Sequence, residues 1–204
     1  VEVYTTENEQ VDALRRFLRE NGKALAVGVV LGIGALVGWR FWQSHQDNSA
    51  MVTSSAYQQA SETLTAGKGT TAVEAFAAAN KNNYGALASM ELAAHYAELK
   101  DFAKAEQQLT QALSQSNNAD LQSLINLRLA RVQLAQKKAD DALKTLDAIK
   151  TEGWAAMVAD VRGDVLVSKG DNQGARSAYE KGIESQPPQG LQALLRMKLN
   201  NLSS

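Results

Sequence analysis

Residues 92–112 read LAAHYAELKDFAKAEQQLTQA, from Leu92 to Ala112, and two small residues in that stretch decide the fold. Ala93 and Ala105 stand twelve apart, with Leu92, Tyr96, Leu109 and Ala112 at helical spacing around them. The same interval returns twice. Leu129-Ala130-x-x-Gln133 leads to Ala142 and Leu146, and Gly163-x-x-Leu166 leads to Ala175 and Tyr179, with Pro187 beyond. The first small residue advances by 37 and then by 33 positions. Two antiparallel helices approach closely only where each presents a small side chain, and large residues three and four positions on fill the space between neighbours.

A period near 34 with this pattern is the tetratricopeptide (TPR) signature. Leu99-Lys100-Asp101, Lys137-Lys138 and Lys169-Gly170-Asp171 fall where each unit must turn, which makes Asp101, Asp140 and Asp171 N-cap candidates. A generic Ala-rich bundle is the alternative; three recurrences with matching aromatic or leucine partners favour the repeat. Upstream, 54–65 and 71–80 read as helices separated by a break at 67–71, a degenerate fourth pair. Downstream, Leu191, Leu194, Leu195 and Leu199 make an amphipathic helix that covers the last repeat, set off by Pro187-Pro188. The expected fold is all-α: a TPR-like α-solenoid of three to four helix pairs with a C-terminal capping helix, preceded by a single transmembrane helix.

That helix is expected at Ala24–Trp42, ALAVGVVLGIGALVGWRFW, whose first sixteen residues carry no charge. At about 1.5 Å per residue the run spans roughly 28 Å, close to a bilayer core. Arg15, Arg16, Arg19 and Lys23 precede it; only Arg40 lies at its far boundary, and no further cation occurs until Lys68. That asymmetry places the N-terminus in the cytoplasm, with Trp39, Phe41 and Trp42 as the outer aromatic belt. The bulky Trp-Arg-Phe-Trp end argues against signal-peptide cleavage. Gly28 with Gly32, and Gly34 with Gly38, match the small-xxx-small pattern of packed membrane helices, although glycine is also simply common in such helices. The expected organisation is 1–23 cytoplasmic, 24–42 transmembrane, 43–53 stalk and 54–204 extracytoplasmic TPR-like domain. Val11, Leu14, Phe17 and Leu18 recur at helical spacing among basic neighbours, so Tyr4–Glu20 either lies along the inner membrane surface or is simply a lead-in.

Composition excludes several function classes. The formal net charge is −1, so there is no electrostatic footprint for nucleic acid. There are no cysteines and only two histidines, His45 and His95, with no cysteine or acidic cluster at ligand spacing. Asp160 and Asp164 are i, i+4 on one helix, but a carboxylate pair alone defines no reaction. Arg128, Arg131, Lys137 and Lys138 form a modest basic patch read as a solvated face. No nucleophile elbow, zinc-protease motif or phosphate loop occurs. The expectation is a non-enzyme with no cofactor, no metal and no small-molecule substrate.

Asn21–Gln46 (NGKALAVGVVLGIGALVGWRFWQSHQ), Leu127–Asp164 and Ser168–Gly182 (SKGDNQGARSAYEKG) resemble the YfgM family of ancillary SecYEG translocon subunits. The resemblance implies a single-pass protein of the bacterial inner membrane with a periplasmic TPR-like domain. It implies SecYEG and the periplasmic chaperone PpiD as partners, a part in passing emerging polypeptides to periplasmic chaperones, and negative control of the Rcs envelope-stress response. By likeness to TPR grooves in general, Met90, Ala94, Leu127, Arg131, Asp160 and Asp164 are expected to face a partner-binding groove. A structural envelope scaffold unconnected with secretion shares the same fold and topology and is the alternative.

Overall fold

The structure is a computed structural model that describes residues 7–202, with the side chains of 11, 15–24, 27–44 and 49–202. Tyr4–Thr6 and the side chains of Leu14 and His45 lie outside the described residues. The elements are α1 (Glu7–Thr65), α2 (Thr71–Ala79), α3 (Asn83–Glu98), α4 (Phe102–Gln115), α5 (Ala119–Ala135), α6 (Ala139–Asp147), a 3₁₀ turn (Glu152–Trp154), α7 (Ala155–Ser168), α8 (Asn172–Glu184) and α9 (Gln189–Asn201). No strand occurs among the described residues. The chain divides into two compact units, Val1–Val52 and Thr53–Ser204.

In the first unit α1 bends by 52° between its Arg15–Ala24 and Val27–Thr65 parts. Every residue from Val27 to Trp42 is exposed, and a Cβ added at Gly28, Gly32, Gly34 or Gly38 would meet nothing within 4 Å. Trp39 and Trp42 hold their ring centroids 5.5 Å apart. Among the described residues no helix by itself is long and apolar enough to cross a membrane; the two parts of α1 meet that requirement only when taken together, by length and composition alone.

The second unit is built on the small-residue pairs. Ala93, Ala105, Ala130, Ala142 and Ala175 are all buried, four of them completely. Gly163 goes further: a Cβ there would lie 2.1 Å from the Tyr179 ring, so the third pair closes by laying an aromatic face on bare backbone. The three turns are the same motif. The Asp101, Lys138 and Asp171 amides donate to Tyr96, Gln133 and Leu166 carbonyls at 2.8–2.9 Å. The Lys100, Lys137 and Gly170 amides donate to Ala97, Leu134 and Val167. This double bond is the Schellman ending, and it needs the residue at its hinge in the left-handed region. Gly170 (φ 76°) adopts that without strain; Lys100 (φ 60°) and Lys137 (φ 61°) do so against their side chains.

Asp101 and Asp171 cap as expected, accepting from the Lys104 and Gly174 amides. Asp140 does not. The α6 N-cap is Lys138, which puts Asp140 inside the first turn, where its carboxylate favours the helix dipole and pairs with Lys169. The upstream pair forms: Ala60 of α1 packs with Val73, Phe76 and Ala77 of α2 and Ala88 and Leu92 of α3, and the Tyr57 ring lies 5.8 Å from Phe76 and 6.1 Å from Tyr84.

One element departs from the repeat. α6 has 9 residues where α4 has 14 and α8 has 13. Ile149 and Trp154 fold onto the Leu127–Ala130–Leu146–Val161 core in place of the missing turn, and the Trp154 indole donates to Asp120 at 3.1 Å.

Candidate interaction surface

The first helices of the pairs, α3, α5 and α7, present equivalent positions in register: Met90, Leu127 and Asp160 each lie three residues before the small residue, and Ala94, Arg131 and Asp164 one after it. The structure treats the three levels differently.

Between α3 and α5 lies a cleft of about 290 Å³ lined by Met90, Ala93, Ala94, Ala97, Leu109, Arg128, Arg131 and Val132. Its floor is apolar because α3 contributes Met90 and three alanines, α4 Leu109 and α5 Val132. Its rim carries two guanidinium groups. Three of the expected groove residues meet here: Met90, 4% exposed and part of the core beneath, at the floor, and Ala94 and Arg131, both exposed. Arg128 belongs with them, three residues before Arg131 on the same face. The expected basic patch is therefore not one surface. Arg128 and Arg131 edge the cleft, whereas Lys138 reaches Glu106 at 2.7 Å and Lys137 makes the turn. Lys138, Gln136 and Gln133 all donate to the Glu106 carboxylate. Burial alone would raise the Glu106 pKa, and these three donors outweigh it and hold it lowered.

Leu127 is a correction to the groove set. It is 2% exposed and packs with Ala130, Leu146, Val161 and Val165 between α5 and α7. A leucine at this level is drawn into the core because α7 stacks directly on it.

Asp160 and Asp164 come together, but under α9. Lys198 Nζ lies 2.7 Å from Asp160 Oδ1 and 2.7 Å from Asp164 Oδ2. The Tyr179 hydroxyl donates to Asp164 Oδ1 at 2.8 Å, and Arg131 stands 3.7 Å from Asp160. Leu195, fully buried, seats α9 against Ala175 and Tyr179. At Gly182 the approach is so close that a Cβ would lie 2.9 Å from the Leu195 side chain. Burial would lower the Lys198 pKa, but the two aspartates outweigh it and raise it. Burial first, then the Asp164 carboxylate, pushes the Tyr179 phenol up. Lys198 was missed in the sequence although a signal existed: it falls on the stripe of Leu191, Leu195 and Leu202, and a lysine in an apolar stripe implies a buried acid opposite.

Among the described residues no group of three or more His, Asp or Glu is placed to hold a metal ion. The His95 ring packs against Tyr96, centroids 5.7 Å apart. The arrangement offers an apolar crease with a cationic rim, a surface suited to binding.

The tetratricopeptide repeat-like domain family matches residues 15–204. The chain is 56% identical over 205 aligned residues to an ancillary SecYEG translocon subunit of Escherichia coli, covering 100% of both chains. It is 37% identical to a protein of that name from Haemophilus influenzae, over 98% of this chain and 99% of the other. A third, from Aggregatibacter actinomycetemcomitans, is 36% identical over 98% and 99%. No solved structure gives a significant match. The chain thus belongs to the YfgM family of ancillary SecYEG translocon subunits, built on a tetratricopeptide repeat-like domain.

Proposed function

We propose that the chain is a membrane-anchored protein-interaction scaffold of the SecYEG translocon. Residues 24–42 cross the bacterial inner membrane once, with the N-terminus cytoplasmic and the repeat unit periplasmic, where the α3–α5 cleft receives an extended segment or helix of a partner protein. The observation that carries this reading is the full-length 56% identity to an ancillary SecYEG translocon subunit, which runs through the apolar stretch as well as the repeats. The arginine asymmetry supports the orientation. The glycine pairs, whose Cβ sites are open, suit lateral contact with another membrane helix. The cleft's apolar floor and guanidinium rim suit a partner segment with apolar anchors and acidic flanks. From the family resemblance we further propose PpiD as a partner, transfer of emerging polypeptides to periplasmic chaperones, and restraint of the Rcs response. None of these roles requires catalysis.

The test is isolation of the full-length chain from membranes in mild detergent, before and after Arg128→Glu with Arg131→Glu. Co-isolation of SecY that survives both changes, with PpiD lost, fits an anchor-borne contact to the translocon and a cleft-borne contact to the chaperone. Absence of SecY from the wild-type preparation contradicts the reading and favours an envelope scaffold outside secretion.

A further inference from the structure

The segment before the apolar run divides its apolar and cationic residues between two faces. At 100° per residue, Val11, Leu14, Phe17 and Leu18 fall within an arc of about 120°, while Arg15, Arg16, Arg19 and Lys23 fall within about 100° on the opposite side. Charge is also graded along the axis. Glu7, Glu9 and Asp12 lie at the far end; from Arg15 to Lys23 there are four cations and one acid, Glu20. Val11, Phe17 and Leu18 are 46–52% exposed within the unit, so nothing in residues 7–52 covers the apolar face.

The bend supplies a second, independent observation. The 52° turn between Arg15–Ala24 and the helix from Val27 holds a hollow of about 440 Å³ lined by Phe17, Asn21, Ala24, Gly28 and Val29. Those residues lie on the apolar side, so the helix folds toward its greasy face and away from its arginines. An amphipathic helix lying on a membrane and continuing into a span must bend in that sense, because its apolar face and the hydrocarbon core are on the same side. The complement of the bend, about 38°, is the span tilt that would bring Arg15–Ala24 into the membrane plane, and it falls within the tilts that membrane helices adopt.

We infer that residues 11–24 form an interfacial helix that binds the anionic phospholipid surface of the membrane through which the chain is anchored. The cationic face meets lipid phosphates and Val11, Phe17 and Leu18 enter the acyl boundary. This rests on the anchored reading above but asks something separate of the chain: a lipid-bound, composition-sensitive arm instead of a solvated leader.

The chain has no cysteine, so single cysteines report cleanly. Leu18→Cys and Glu20→Cys in the full-length protein, each carrying a polarity-sensitive fluorophore, are reconstituted into vesicles of phosphatidylcholine alone or with a quarter phosphatidylglycerol. The expected result is a blue-shifted emission at position 18 that strengthens with phosphatidylglycerol, a water-like emission at position 20, and loss of the phosphatidylglycerol response on Arg15→Gln, Arg16→Gln, Arg19→Gln combined. Equal emission at the two positions, an identical response in both vesicles, or a shift at position 18 only when translocon complexes are added would overturn the inference, the last assigning the face to a protein. Alkaline extraction of the same proteoliposomes separates the two readings. A chain that resists extraction while position 18 stays water-like loses this inference alone; a chain that extracts loses the anchor itself.

Discussion

Met90 and Ala94 of α3 stand where Asp160 and Asp164 stand on α7, two repeats further on, yet the first pair lines an open cleft and the second lies beneath a helix of the same chain. The repeat fixes the same positions at both levels. What differs is the neighbour. α3 meets α5 with alanines and α5 leaves its two arginines at the rim, whereas α9 seats Leu195 against α8 and Lys198 on the two carboxylates of α7. The middle level is intermediate: Leu127 is consumed by packing, and Arg131 lies between the cleft and Asp160. Repeat register therefore says which residues face the inner side, and the next helix in the stack decides which of them remain available for binding.

The contrast predicts a ranking of effects. Leu195→Ala opens the closed end and should cost about 3–4 kcal/mol, because it empties a fully buried site; urea denaturation followed by circular dichroism reads it. Lys198→Met should cost about 2–3 kcal/mol, since it leaves the Asp160 carboxylate buried and unpaired by its nearest cation. Adding Asp160→Asn and Asp164→Asn should restore most of that loss; a triple variant as unstable as Lys198→Met would show that the methylene packing of Lys198, not its charge, holds the end shut. The sign of the pH dependence follows. The Lys198 pKa is raised on folding, so its contribution is complete below the ordinary lysine value, about 10.4, and disappears as pH rises through the folded value. Wild type should lose stability on alkaline titration more steeply than Lys198→Met.

Gly163→Ala should cost about 2 kcal/mol through its collision with Tyr179, and the melting temperature measures it. Lys137→Gly relieves a left-handed lysine and should stabilise by about 1 kcal/mol. The smallest stability effect, within about 0.5 kcal/mol, is expected for Ala94→Glu at the exposed edge of the open cleft. A large loss there would mean that this face is packed as tightly as the α9 end.

The parts of the molecule legible in the sequence were those set by spacing. Ala93 with Ala105, Ala130 with Ala142 and Gly163 with Ala175 had to be small because helix axes cross there, and each is buried. Two of the three expected caps hold because Asp101 and Asp171 each directly follow the left-handed hinge residue. Asp140 fails because the second turn places Lys138, not an acid, at that position. The shortness of α6 was hidden: nothing in Ala148-Ile149-Lys150 breaks a helix, and the stop comes from Ile149 and Trp154 finding the core. Helical phase placed Met90, Ala94 and Arg131 on the side where the cleft lies and placed Leu127 with them, since phase alone does not separate a lining residue from one that the next helix covers. The cover on Asp160 and Asp164 required a partner 34 or more residues away, and only a lysine in a leucine stripe hinted at it.

The central claim, that an anchored repeat scaffold docks proteins through its open α3–α5 face, is tested most directly by photocrosslinking in living cells. A photoreactive residue at Ala94 is compared with one at Thr110, exposed on α4. The account predicts protein adducts from position 94, translocon-associated proteins among them, that vanish with Arg128→Glu and Arg131→Glu, and few from position 110. Equal capture at the two positions, or capture at 94 that ignores the arginines, would contradict it.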